Sequence, residues 1–200
     1  MSRLATSFVL GYHGCQEETA HKAVTQGAKI IQSNKDYDWL GPGAYFWEND
    51  PVRALEWATL KRAGTQGKDP AVIGAVIDLG NCLDLTSRQD LELVKNAYES
   101  FKKLSDESDF DLPVNESPSN GKNKDRPLRY LDCAVIKHLH EVIEAEKGVG
   151  NSFDTVRGLF PEGDHLFPGS GFRSHNHIQI AVRNPDCIKG FFIPPEYLGR

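Results

Sequence analysis

This 200-residue chain holds four cysteines, at positions 15, 82, 133 and 187, and none forms a CxxC pair. That spacing argues against a zinc framework or a disulfide scaffold and fits reduced thiols in a cytoplasmic protein. No stretch approaches the roughly 20 apolar residues that span a bilayer, so no membrane partner is expected. The apolar run from Leu4 to Leu10 is short, contains Thr6 and Ser7, and leads straight into Gly11-Tyr12-His13-Gly14. It therefore does not read as a signal peptide. Positive charge is in deficit, with 23 Lys and Arg against 28 Asp and Glu and a net charge of −5. Sequence-independent binding along a phosphate backbone is thereby disfavoured, although one local patch could still hold a nucleic acid. Neither a GxGxxG nor a P-loop sequence occurs, which removes the usual dinucleotide and nucleoside-triphosphate fingerprints. No internal repeat is visible.

What is there is an ordinary globular composition, 39% hydrophobic and 26% charged, read as one domain over residues 1–200. Residues 7–12 read as a strand ending at His13-Gly14, and residues 17–26 as a helix stopped by Gly27. A turn-rich stretch, 33–43, precedes an apolar strand, Ala44-Tyr45-Phe46-Trp47. Asp50 and Pro51 open a helix with Ala54, Trp57 and Ala58 on its apolar side. Residues 71–79 read as a buried strand. Thr86 and Gln89 have capping-box spacing ahead of a helix carrying Leu91, Val94, Tyr98, Phe101 and Leu104. Residues 105–127 are polar and turn-rich and are expected to be a mobile loop. A second amphipathic helix follows, with Leu131, Val135, Leu139 and Val142. The chain then reads as irregular from Gly148 until residues 176–183 alternate, with Ile178, Ile180 and Val182 on one side and His177, Gln179 and Ala181 on the other. A last strand, 190–193, stops at Pro194-Pro195. Strands at both ends and helices over residues 86–147 give an α+β domain with a helical insertion.

Three segments place polar, aromatic and glycine residues at strand ends: Tyr12-His13-Gly14-Cys15, Gly41 to Trp47, and His177 to Val182. Glycines there let backbone groups approach a flat ligand, and aromatics offer a stacking surface. Singly, each has an ordinary explanation: a turn histidine, a core tyrosine, a solvent-facing glutamine. A metal site is the alternative from another class. His175 and His177 project to one side of a strand, whereas His138 and His140 on a helix do not. No third partner stands close by, so no metal is expected.

In order, the His-Gly, the Gly-Pro-Gly-Ala-Tyr-Phe segment with its following helix, and the late strand resemble the ADP-ribosyltransferase family. The closest likeness is to its diphtheria-toxin and poly(ADP-ribose) polymerase branch, which carries a His-Tyr-Glu triad. It extends over residues 8–60 and 175–193 and leaves out the helical insertion. Carried over, the triad is His13, Tyr45 and Gln179, with His177 the competing third residue. The resemblance implies a split antiparallel β-sheet and NAD+ as co-substrate. Gly14 would hold the nicotinamide carboxamide, His13 the adenosine ribose, and Tyr45 would stack on nicotinamide. Gly43 belongs to the same NAD+-contacting segment, and Trp57 lies near the place of a second stacking aromatic. Gln179 departs from the Glu: an amide can orient a ribose hydroxyl but is no general base. The implied activity is therefore mono-ADP-ribosyl transfer to a protein or nucleic-acid acceptor with release of nicotinamide. Asp154 and Glu162 are the candidate carboxylates for deprotonating that acceptor, and Arg157 a candidate phosphate ligand. Bacterial or phage-related toxins and defence effectors are the implied setting, which would bring an antitoxin as partner. An RNA 2′-phosphotransferase would need clustered arginines, whereas Arg53, Arg173 and Arg183 are scattered. A degenerate module that binds NAD+ or a partner without turnover is the non-enzymatic alternative, kept open by Gln179.

Overall fold

A computed structural model describes residues 8–62, 69–117 and 127–197. Among them run β1 (Phe8–Gln16), α1 (Glu17–Gln26), β2 (Ala44–Glu48), α2 (Pro51–Arg62), β3 (Pro70–Asp78) and β4 (Cys82–Asp84). Then come α3 (Arg88–Ser108), α4 (Tyr130–Lys147), β5 (Thr155–Phe160), β6 (His177–Val182) and β7 (Ile188–Phe192). The fold is α+β. The seven strands form one mixed sheet in the order β4-β5-β6-β2-β1-β3-β7. Only β4 and β5 run parallel; every other pairing is antiparallel.

Strand alternation gives each face its own core. Cys15, Phe46, Ile73, Ala75, Ile77, Ile180 and Val182 point to one face and pack with Ala20 and Ala23 of α1. The opposite face is covered twice. Ala54 of α2 packs on Trp47 and Val72. Ala97 of α3 and Val135, Ile136 and Leu139 of α4 pack on Val156 and Ala181. Because both faces are covered, β6 carries buried residues on both sides, His177 and Ala181 on one and Ile180 and Val182 on the other. On the α1 face, Arg157 of β5 bonds Glu48 at 2.6 and 3.1 Å and Asp84 at 3.0 and 3.2 Å, clamping β2, β5 and β4 together.

Local signals hold where neighbouring residues decide the outcome. Asp50 Oδ1 accepts the Arg53 N–H at 2.9 Å, with Pro51 as the first helical residue of α2. Gly27, at φ 65°, ends α1. Other expectations need correction. The Thr86 capping box does not form: its hydroxyl donates to Asp84 at 2.7 Å, and Ser87 occupies the N-cap position. Helix α3 runs on through residue 108, so the expected loop starts later. Beyond it, Asn115 Oδ1 accepts the Leu131 N–H at 2.9 Å, and Glu116 pairs with Leu128. Residues 118–126 of the expected mobile loop lie outside the described residues. The stretch read as irregular contains β5, and β4 precedes α3. The sheet is also mixed, since β4 joins it parallel to β5.

Candidate functional site

The parting of β1 from β2 organises the site. Their pairing comprises Gly11↔Glu48 and Tyr12↔Trp47 and then stops, while β1 remains paired with β3 as far as Gln16. The Leu10 carbonyl accepts the Asn49 N–H at 3.0 Å, so Leu10 turns its peptide groups toward β2. By the two-residue period Tyr12 and Gly14 turn theirs the same way. Gly14 and Tyr45 would be the next hydrogen-bonded pair, and that pair is not made. The Tyr45 carbonyl instead accepts from His13 Nδ1 at 2.8 Å. The edge of Gly14 therefore faces the parting.

This bond also fixes the histidine. A carbonyl can only accept, so Nδ1 carries the proton and Nε2 of the neutral ring is an acceptor. Burial lowers the His13 pKa, outweighing the opposing effect of the Tyr45 bond, and nearby Lys61 lowers it further. The ring lies 5.6 Å from that of Phe46, on the α1 face. Tyr45 and Gln179 point to the other face. The three residues thus sit on three adjacent strands, β1, β2 and β6, but not on one side of the sheet.

Tyr45 is anchored at its tip. Its hydroxyl donates to the Gly41 carbonyl at 2.8 Å and accepts the Leu40 N–H at 3.1 Å. Burial, the largest cause, holds its pKa well above the ordinary tyrosine value. Both peptide groups of Gly43 bond Ser33, at 2.8 and 3.0 Å. The absence of a side chain at Gly43 allows close approach to β6, since a β-carbon would sit 3.0 Å from the Val182 carbonyl oxygen. Over Gly14 packs α2, with the Ala54 carbonyl directly against its α-carbon. Trp57 stands one turn further along α2, 5.7 Å from the Trp47 ring, with Lys61 Nζ 4.3 Å from its own ring centre.

Gln179 lies opposite Trp47 across the β2–β6 ladder. Its Oε1 accepts the Trp39 Nε1–H at 2.6 Å. Indole only donates, so the amide orientation is settled and its NH2 group points away from Trp39. Trp39 reaches this position because Gly158 on β5 has no β-carbon; one would stand 2.7 Å from the Trp39 ring. Neither Trp39 nor Gly158 was singled out in the sequence. Their link to Gln179 spans 140 residues of chain, and no local pattern signals it.

The candidate carboxylates separate. Asp154 bonds the Asn81 N–H at 2.8 Å and the Asn184 amide at 2.9 Å, at the end of β6 away from His177. Glu162 lies at the His177 end, 2.7 Å from Arg53 Nη2 and 3.8 Å from His177 Nδ1. Arg157, a candidate phosphate ligand, is held by Glu48 and Asp84. On the face to which His13 points lies a cavity of about 300 Å³, floored by Ile30, Ala44, Val182, Ile188 and Phe191 with Lys29 at its side. Among the described residues no group of three or more His, Cys, Asp or Glu is placed to hold a metal ion. Nor is any described helix long and apolar enough to cross a membrane.

Comparison with known proteins yields one distant relative. The chain is 26% identical over 196 residues to uncharacterized protein MJ0359 of Methanocaldococcus jannaschii, covering 89% of this chain and 83% of that protein. No family model matches the chain, and no solved structure matches it.

Proposed function

We propose that the protein binds NAD+ in the parting between β1 and β2 and transfers its ADP-ribose to an acceptor, as a mono-ADP-ribosyltransferase of the diphtheria-toxin and poly(ADP-ribose) polymerase type. The observation that carries this reading is the unmade Gly14–Tyr45 pair, with the Tyr45 carbonyl taken by His13. It leaves a peptide edge with one N–H and one C=O facing the opening, which is the complement of a carboxamide. It also leaves His13 Nε2 as an acceptor for a ribose hydroxyl. In this reading the dinucleotide passes through the parting. Nicotinamide lies on the side of Tyr45, Trp57 and Gln179, and the adenosine ribose on the side of His13, where the cavity beside Ala44 would take the adenine.

Cleavage of the nicotinamide–ribose bond builds positive charge on the ribose. A dipole placed against its 2′-hydroxyl stabilises that state more than the ground state. Gln179 supplies the dipole without a formal charge, which favours single transfers over chain growth. The acceptor is a protein or a nucleic acid, and a toxin or defence role with a cognate antitoxin follows from the family likeness alone. The neutral Gln179, with its oxygen already bonded to Trp39, is also what an NAD+-binding module without turnover would carry. Labelled NAD+ incubated with the protein and total lysate separates the two. Transfer predicts label resistant to washing and removed by protease or nuclease, with free nicotinamide. His13→Ala should lower nicotinamide release at least tenfold, about 1.4 kcal/mol of transition-state binding. Binding without release in any lysate would leave the non-catalytic module.

A further inference from the structure

Beside Gln179 lie two buried nitrogen atoms with nothing to bond. Trp47 is 4% exposed and His177 6%. Among the described residues neither the Trp47 Nε1–H nor His177 Nε2 has a hydrogen-bond partner. Their hydrogen-bonding polarities are opposite. Indole nitrogen is a donor. His177 Nδ1 donates to the His175 carbonyl at 2.8 Å, so Nε2 of the neutral ring is an acceptor. Both rings stand on the same face of adjacent strands, with centres 6.4 Å apart and planes tilted by 52°. They do not bond each other. Leaving either group dry is unfavourable, because its hydrogen bond to water is lost and nothing replaces it. The Arg53 Nε–H, from the first turn of α2, is a third buried nitrogen without a partner.

We propose that a single water molecule occupies this position, accepting from Trp47 Nε1–H and donating to His177 Nε2, and that His177 activates it to hydrolyse NAD+ when no other acceptor is present. The proposal rests on the NAD+-cleaving reading above and adds an acceptor class to it. Neither nitrogen is exposed, and a single water can satisfy a donor and an acceptor at once. His177 precedes Gln179 by two residues and shares its face, one strand repeat from the group that would orient the ribose.

In the reaction the water oxygen forms a bond to the anomeric carbon of the nicotinamide ribose. The carbon–nitrogen bond breaks, and its electron pair neutralises the pyridinium nitrogen. The water proton passes to His177 Nε2. The products are ADP-ribose and nicotinamide, and the proton later leaves to solvent. The groups facing the resulting imidazolium are mixed in sign. Glu162, 3.8 Å from Nδ1, and Asp50 favour it, and Arg53 opposes it. Phe160 stacks on the ring at 5.5 Å, and the Arg129 guanidinium lies 5.0 Å from the centre of the Phe160 ring. Burial outweighs these charges and lowers the His177 pKa, which keeps the ring in its base form at neutral pH.

The test uses the full chain with NAD+ alone, following ADP-ribose and nicotinamide between pH 5 and 9. Wild type should release both in equal amounts, with a rate that falls toward acid pH. His177→Gln accepts a hydrogen bond but takes up no proton. It should lose at least tenfold in kcat with KM for NAD+ unchanged, and its rate should no longer fall toward acid pH. Trp47→Phe, which keeps a ring and removes the donor, should lower kcat and keep the acid fall. If His177→Gln does not fold, the wild-type profile and Trp47→Phe decide. A crystal structure should show one ordered water between the two nitrogens. Hydrolysis indifferent to both substitutions, an empty position, or transfer to lysate acceptors without any hydrolysis overturns the proposal and leaves the NAD+ reading standing. No nicotinamide release under any condition overturns both.

Discussion

Substituting Gly14 by alanine tests the geometry on which the proposed NAD+ site depends. The position is pressed between the sheet and α2. An added β-carbon would overlap the Ala54 carbonyl oxygen and stand 3.1 Å from both the Ala54 carbonyl carbon and the Ala58 β-carbon. Carbon atoms settle at about 3.5–4.0 Å, so the Ala58 methyl must retreat by roughly half an ångström, and the Ala54 carbonyl by more. Both obstacles belong to a helix packed through Ala54 and Ala58, each almost wholly buried. No rotamer change relieves the clash; the helix has to move. Overpacking of this kind costs about 1–3 kcal/mol, and a backbone obstacle places this case near the upper end. Glycine imposes no special φ here, so no strain from backbone conformation is mixed in. The functional effect compounds the structural one, because α2 also carries Trp57. A shift of about 1 Å in a positioning element can cost on the order of 10²-fold in rate. Urea denaturation reads the first effect and nicotinamide release the second. Gly190→Ala is the control, since a β-carbon there meets nothing within 4 Å. Its stability should stay within about 0.5 kcal/mol of wild type. If Gly14→Ala were equally silent, α2 would not lie against β1 as described and the opening at Gly14 would lose its physical basis.

Trp39→Phe should free the Gln179 amide while keeping a ring over Gly158, lowering the proposed NAD+ turnover about tenfold with little change in KM; unchanged kcat would show that the 2.6 Å bond does not orient Gln179. His140 is kept neutral by burial, with Arg183 adding to the effect, and its pKa is pulled from 6.5 down to about 3. Above pH 6.5 folded and unfolded chains are alike at this residue. As pH falls from 6.5 toward 3 the unfolded chain takes up a proton that the folded chain refuses, costing about 1.4 kcal/mol per pH unit and roughly 5 kcal/mol in all. Urea midpoints at pH 7 and pH 4 should therefore fall further apart for wild type than for His140→Gln, and equal falls would contradict the assignment.

How much of this was legible in the sequence follows from how far apart the deciding residues lie. Helix α2 is announced by Asp50, three residues from the Arg53 N–H it accepts, and by Pro51 as its first residue. Helices α3 and α4 are announced by apolar residues recurring within one or two turns. The short strand β5 is not, because Gly158 and Arg157 interrupt its apolar run for reasons found elsewhere in the chain. Gly158 makes room for Trp39, 119 positions earlier, and Arg157 answers Glu48 and Asp84 on other strands. Charge signs alone do not distinguish Arg157 as a clamp from Arg157 as a phosphate ligand. The same limit explains the capping box expected at Thr86 and not formed, since its hydroxyl is turned to Asp84.

The site divides along the same line. His13, Gly14, Tyr45 and Gln179 stand out because each sits in a short, unusual segment. What each does depends on the partner across the strand. His13 matters less as an imidazole in a turn than as the group that occupies the Tyr45 carbonyl and keeps β2 from closing on Gly14. The parting is thus maintained by one side chain replacing one ladder bond, and the glycine beside it is the residue that lets α2 close over the gap. The His-Gly dipeptide works as a unit. The histidine holds the strands apart on one face of the sheet, and the glycine admits the helix on the other, so neither residue alone would leave a peptide edge both exposed to the parting and roofed against water.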